Sequence, residues 1–157
     1  DILKQTHQDV RRLSDGLLKN SIDSVELSAA LEGLCRETAR RFDVPCDLDA
    51  ERFDESYITD DAVAFVIYQI ACEAVHNAIK HAQTKRICIE LSTSDQFSVK
   101  IQDDGIGIAE TPPKANTNGL NIMRYRAESV GGELRIDSVP GKGTSVTFVI
   151  PKRSCQS

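Results

Sequence analysis

Two runs of strict alternation constrain this chain more than any other feature. In residues 86–91 the apolar side chains are Ile87, Ile89 and Leu91, and in residues 97–102 they are Phe97, Val99 and Ile101. A period of two places alternate side chains on opposite faces of a strand. The polar segment Ser92-Thr93-Ser94-Asp95-Gln96 joins the two runs as a hairpin. Such a sheet is apolar on one face only and must be covered there, so helices are required. The expected fold is α+β, a two-layer sandwich with a mixed, mostly antiparallel sheet and helices on one face.

Helical periodicity lies on both sides of the hairpin. In residues 1–18, Leu3, Val10 and Leu17 recur at heptad spacing with Leu13 on the same side. This helical arm is polar elsewhere and asks for a partner along one stripe. After a break at 20–24, Asp23 or Ser24 can cap a helix over 25–42, with Leu27, Leu31, Leu34 and Thr38 facing inward. Cys46, Leu48 and Ala50 alternate with acids and read as a short strand. Thr59-Asp60-Asp61 caps a long helix ending near His81. A further helix is expected over 119–130, stopped by Gly131-Gly132. Strands over 133–138 and 144–150 join through Pro140-Gly141-Lys142-Gly143. The division is an arm at 1–22, one domain at 23–151 and a tail at 152–157. A chain of 157 residues accommodates one such domain with a short surplus.

Composition narrows the function. With 40% hydrophobic residues the chain is too apolar for a disordered tail, and a net charge of -5 argues against bulk nucleic-acid binding. No apolar run reaches the roughly 20 residues that span a bilayer. Residues 62–74 come nearest and are interrupted by Tyr68, Gln69 and Glu73. The five cysteines, Cys35, Cys46, Cys72, Cys88 and Cys155, form no C-x-x-C pair and read as packing residues or exposed bystanders in a reducing cytosol.

Four features carry chemistry. On the long helix, at about 100° per residue, Glu73, Asn77, Lys80 and His81 share one sector. The same sector upstream holds Val63, Val66 and Ile70, so the polar group continues an apolar stripe. A carboxylate, an amide, an ammonium and an imidazole together suit a metal–phosphate ligand, Asn oxygen being a hard donor for Mg²⁺. The same residues also fit an i,i+4 surface pattern at a helix end. Second, Asp103-Asp104-Gly105-Ile106-Gly107 follows an alternating strand, and its glycines allow close backbone approach. Asp103 at the strand end can accept from an exocyclic amine such as that of adenine. Third, Asn118-Gly119-Leu120 opens a helix, where free N–H groups suit phosphate. Fourth, Gly141-Lys142-Gly143-Thr144 enters the last strand, and the Thr144 hydroxyl can support Asp103 if the two strands are neighbours.

The order of these features resembles a known family. The stretch Ala71-Cys72-Glu73-Ala74-Val75-His76-Asn77-Ala78-Ile79-Lys80-His81-Ala82 looks like the N box of the Bergerat (GHKL) ATP-binding fold. Asp103 to Gly107 resembles its D-x-G-x-G box and Gly141 to Thr144 its G-x-G-T box. Gly119-Leu120-Asn121-Ile122-Met123-Arg124-Tyr125-Arg126-Ala127 resembles the segment after the ATP lid of sensor histidine kinases. The combination is similar to the catalytic domain of NarL-type (HisKA_3) kinases over about residues 60–151. Residues 8–34 resemble more loosely the end of that family's dimerisation region.

The resemblance implies a protein-histidine kinase of a two-component system, with ATP and Mg²⁺ as cofactors. Asn77 would ligate Mg²⁺, Glu73 would position water or the metal, and Lys80 and His81 would face the phosphates. Asp103 would bind adenine with Thr144 behind it, Gly105 and Gly107 would frame the pocket, and Gly119 with Leu120 would close on the phosphates. The lid would span 108–118. It implies as partners a response-regulator receiver domain and the protein's own dimerisation helix in a homodimer. The expected location is cytoplasmic, alone or as the cytosolic part of a membrane-bound sensor. His7 is followed by Gln8 rather than an acid, and His76 lies inside the N box, so no phospho-acceptor is expected in this chain. Asp1 reads as a beginning in mid-element. The alternative is a nucleotide-gated interaction module of the anti-sigma-factor serine kinase type, for which no dimerisation arm is expected.

Overall fold

The computed structural model describes residues 27–81, 83–108 and 114–151. The arm with its Leu3, Val10, Leu13 and Leu17 stripe, His7, and the tail with Cys155 lie outside the described residues. Helix α1 is Leu27–Phe42, β1 is Cys46–Arg52, α2 is Asp61–His81, β2 is Ile87–Ser92 and β3 is Phe97–Asp103. Helix α3 is Lys114–Ser129, followed by β4 at Glu133–Val139 and β5 at Gly143–Ile150.

The strands form one sheet in the order β1-β2-β3-β5-β4. The β1–β2 pair is parallel and every other pair is antiparallel. The sheet is therefore mixed and mostly antiparallel, as the alternation and hairpin signals implied. Ile87, Ile89, Leu91, Phe97, Val99 and Ile101 are all buried on one face, with Val146 and Phe148 beside them. Cys88, Glu90 and Gln102 lie exposed on the other face. Among the described residues the three α-helices all meet the sheet, α1 against β1, α2 against the centre and α3 against β4.

Local chemistry sets the helix ends. The Asp60 carboxylate accepts from the Ala62 N–H at 2.8 Å and caps α2. At the far end of α3, Gly131 takes φ 76°. Its N–H reaches the Glu128 carbonyl at 3.0 Å, and the Gly132 N–H reaches the Ala127 carbonyl at 2.9 Å. That double reversal is a left-handed stop open to glycine. On α1, Leu27, Leu31, Leu34 and Thr38 are buried, and the Thr38 hydroxyl donates back to the Leu34 carbonyl. The cap expected at Asp23 or Ser24 lies outside the described residues.

Helix α2 is buried nearly all round, as a central helix must be. Over Asp61–Lys80 it is long and apolar enough to cross a membrane by length and composition, but 61% of that stretch is buried inside the fold. Two cysteines are not isolated: the Cys46 thiol on β1 donates to the Cys35 sulfur on α1 at 3.3 Å. That contact lowers the Cys35 thiol pKa and, with burial, raises that of Cys46.

Candidate functional site

The candidate residues fall on three segments, and the most tightly held of them lies in a corner at the end of β3. Asp103 is 8% exposed. Its carboxylate accepts from the Gly105 N–H at 2.9 Å and from the Thr144 backbone N–H. Burial nevertheless outweighs those two donors and pushes its pKa above the ordinary value, with the neighbouring Asp104 carboxylate adding to the rise. Gly143 makes the corner possible. It takes φ 98°, and a Cβ there would lie 2.0 Å from the Asp103 carbonyl oxygen. Only glycine lets β5 begin this close to β3.

Thr144 reaches Asp103 through its backbone. Its hydroxyl lies 3.1 Å from the Ser138 hydroxyl on β4. The expected support of Asp103 by the Thr144 side chain is thus replaced in this structure by a backbone donor, because the hairpin turns the hydroxyl toward β4.

Asp104, one residue on, has the opposite fate. It is exposed, and its carboxylate accepts from the Thr84 hydroxyl and from the Lys85 and Arg86 N–H groups at 2.8–3.0 Å. Those donors hold its pKa below the ordinary value, the Lys85 N–H foremost. It ties the α2–β2 turn to the end of β3. Sequence reading missed this role, because the three donors are distant in sequence and meet the acid only in the folded sheet.

On α2, Glu73, Asn77 and Lys80 are half-buried while Ala74, Val75 and Ala78 between them are buried. The polar stripe therefore faces a neighbouring element rather than open solvent. His81 ends the helix, and its side chain lies outside what the structure describes. The neighbouring element is α3. A Cβ on Gly119 would come 2.5 Å from Glu73 Oε1 and 4.0 Å from Asn77 Oδ1. The structure thus brings Glu73, Asn77 and Gly119 together.

Helix α3 begins at Lys114 rather than at Gly119. Gly119 sits inside the helix, so its N–H belongs to the hydrogen-bonded ladder and the free N–H groups of the first turn belong upstream. Its glycine character serves close approach to Glu73, not helix initiation. The segment 109–113 and the side chains of residues 114–118, including Asn118, lie outside what the structure describes. Leu120 is half-buried against the core.

A family model for the histidine kinase-, DNA gyrase B- and HSP90-like ATPases matches residues 62–154. The chain belongs to that ATPase family. The nitrate/nitrite sensor protein NarX of Escherichia coli K12 is 34% identical over 129 residues, 80% of this chain and 21% of NarX. The oxygen sensor histidine kinase NreB of Staphylococcus carnosus is 31% identical over 156 residues, 96% of this chain and 43% of NreB. The histidine kinase domain of the blue-light-activated kinase of Erythrobacter litoralis superposes with a TM-score of 0.65 at 26% identity, covering 80% of this chain and 60% of that one. The two curated relatives are a nitrate/nitrite sensor protein and an oxygen sensor histidine kinase, and the chain spans less than half the length of either.

Proposed function

We propose that the Asp103 corner and the α2 stripe together hold Mg-ATP, with adenine at Asp103 and the phosphates toward Asn77. Bound ATP supplies the γ-phosphoryl group. The buried Asp103 carboxyl supports this reading best. It is held by backbone donors with acceptor capacity to spare, which suits the exocyclic amine of adenine. Gly105 and Gly107 keep the adjoining backbone bare of side chains.

The donor set on α2 fits a metal–phosphate group. Among the described residues no group of three or more His, Cys, Asp or Glu side chains could hold a metal ion. Mg²⁺ would therefore share the Asn77 oxygen with phosphate oxygens and water, as this hard cation tends to do. Glu73 orients water or the metal, Lys80 and His81 neutralise phosphate charge, and Gly119 with Leu120 faces the phosphates from α3. Catalysis here consists of positioning and charge neutralisation.

In the whole protein the phosphoryl group passes to a histidine of the dimerisation helix and then to a response-regulator receiver domain, from a homodimer in the cytoplasm or at the inner side of a membrane. The match to NreB across 96% of this chain favours this over the serine kinase type, because it extends through the arm.

Calorimetric titration of Asp103→Asn tests the adenine role. Affinity for ATP should fall more than about tenfold, while a base-free triphosphate binds as before. Equal losses for the two ligands would contradict it. Transfer of label from ATP to a histidine on a separately supplied acceptor-helix fragment tests the kinase activity.

A further inference from the structure

The Ser138 hydroxyl lies where three segments of the site converge. It accepts from the Ile108 N–H at 2.7 Å. It also lies 3.1 Å from Thr144 Oγ1 and can donate to the Gly143 carbonyl at 3.4 Å. A hydroxyl has one proton and two lone pairs, and these contacts use both kinds of group. Ile108 directly follows the D-x-G-x-G box. Thr144 follows the glycine that packs on Asp103. One side chain thus touches both walls of the pocket corner without belonging to either motif.

The surroundings show how close this contact is. Gly107 takes φ 78°, and a Cβ there would come 2.6 Å from the Val139 carbonyl oxygen and 3.0 Å from Ser138 Oγ. On the other side of Gly107, the Gly141 N–H donates to the Ile106 carbonyl at 2.8 Å. The loop is clamped to the β4–β5 hairpin at two points that flank Gly107. One is backbone to backbone. The other depends on Ser138.

We propose that Ser138 is a positioning residue for the nucleotide pocket. Its hydroxyl fixes Ile108, the residue after the D-x-G-x-G box, and engages the hydroxyl of Thr144, whose backbone N–H meets Asp103. This inference rests on the nucleotide reading given above. Without the hydroxyl, the Ile108 N–H loses its partner while the Gly141–Ile106 bond still holds the fold. The loop must then be ordered at the moment of binding, and that ordering weakens affinity.

The test is titration of this chain with Mg-ATP, together with amide hydrogen exchange in the absence of nucleotide. Ser138→Ala should bind Mg-ATP about threefold to tenfold more weakly, a hydrogen bond's worth of affinity. Its Ile108 amide should exchange faster while core amides such as Ile89 stay protected. Ser138→Thr, which keeps the hydroxyl, should restore both. Wild-type affinity in Ser138→Ala overturns the proposal. So does an equal loss in Ser138→Thr, or faster exchange spread across the whole core. If Ser138→Ala does not fold, Ser138→Cys carries the same expectation, since it keeps the shape and offers only a weak acceptor. The unsubstituted chain and Asp103→Asn are titrated alongside. If the unsubstituted chain does not bind ATP, the pocket reading fails, a result distinct from a Ser138→Ala that binds as the unsubstituted chain does.

Discussion

At the strand-end corner, Asp103, Gly143 and Ser138 are held by hydrogen bonds between backbone segments that approach to contact distance. On α2, by contrast, Glu73, Asn77 and Lys80 owe their placement to a helix packed into the core and to a bare glycine on α3 opposite. At the corner a side chain on Gly107 or Gly143 would run into backbone, whereas one on Gly119 opposite the stripe meets the end of a side chain. The two adjacent acids show the same contrast on a smaller scale. Burial raises Asp103, and exposed backbone donors lower Asp104. Rigidity at one end and replaceable donors at the other suit a ligand whose base is recognised by shape and whose phosphates are met by charge.

The largest effect expected from this contrast is at Gly143. Gly143→Ala places a methyl group on the Asp103 carbonyl at positive φ, and should destabilise the domain by about 3 kcal/mol or more in denaturant unfolding. A small change would mean that the corner yields. Asn77→Ala lies at the other extreme. Its unfolding midpoint should stay close to that of the parent while Mg-ATP affinity drops more than about 100-fold, beyond what loss of an outer-sphere partner produces. Unchanged nucleotide affinity with Mg²⁺ present would remove Asn77 from the metal role.

Gly119→Ala sharpens the comparison further. Alanine favours the helix by about 1 kcal/mol. Its methyl group meets the far end of the Glu73 side chain, which can swing aside. Stability should hold or rise slightly while Mg-ATP affinity falls; a marked loss of stability would show that the stripe is as rigid as the corner.

The smallest effect is in pH. Asp103, raised above 3.8, contributes stability that is complete below 3.8 and is lost as pH rises through its folded value. Asp104, lowered from 3.8, contributes stability that is present above 3.8 and is lost as pH falls through its folded value. The stability difference between the parent and Asp103→Asn should therefore move in the parent's favour as pH falls from neutral toward 3.8. The difference between the parent and Asp104→Asn should shrink below 3.8. Parallel pH profiles for the two variants would contradict the opposite assignments.

Much of the fold is legible in the residues. The alternation in 86–91 and 97–102, the Asp60 cap and the paired stop at Gly131-Gly132 depend on neighbours close in sequence, and each appears in the structure. The order of the four motifs was enough to indicate the ATPase family. Less legible were the parallel β1–β2 pairing, the extension of α3 back to Lys114, and the Cys35–Cys46 contact. Glycine at 119 reads as a helix start because local propensity treats it as a breaker. Its actual reason is the Glu73 carboxylate on another helix, and no local pattern carries that information.

By itself the sequence determined the strand faces, the helix limits set by caps, and the residue types that could meet a nucleotide. These follow from periodicity and turn chemistry over a few residues. Only the tertiary structure decided that Asp103 is buried while Asp104 is not, that Thr144 supports Asp103 through its backbone, and that Ser138 joins the two walls of the corner. Desolvation and hydrogen-bond partnership depend on what distant segments bring to within about 3 Å, and that distance is set by packing alone.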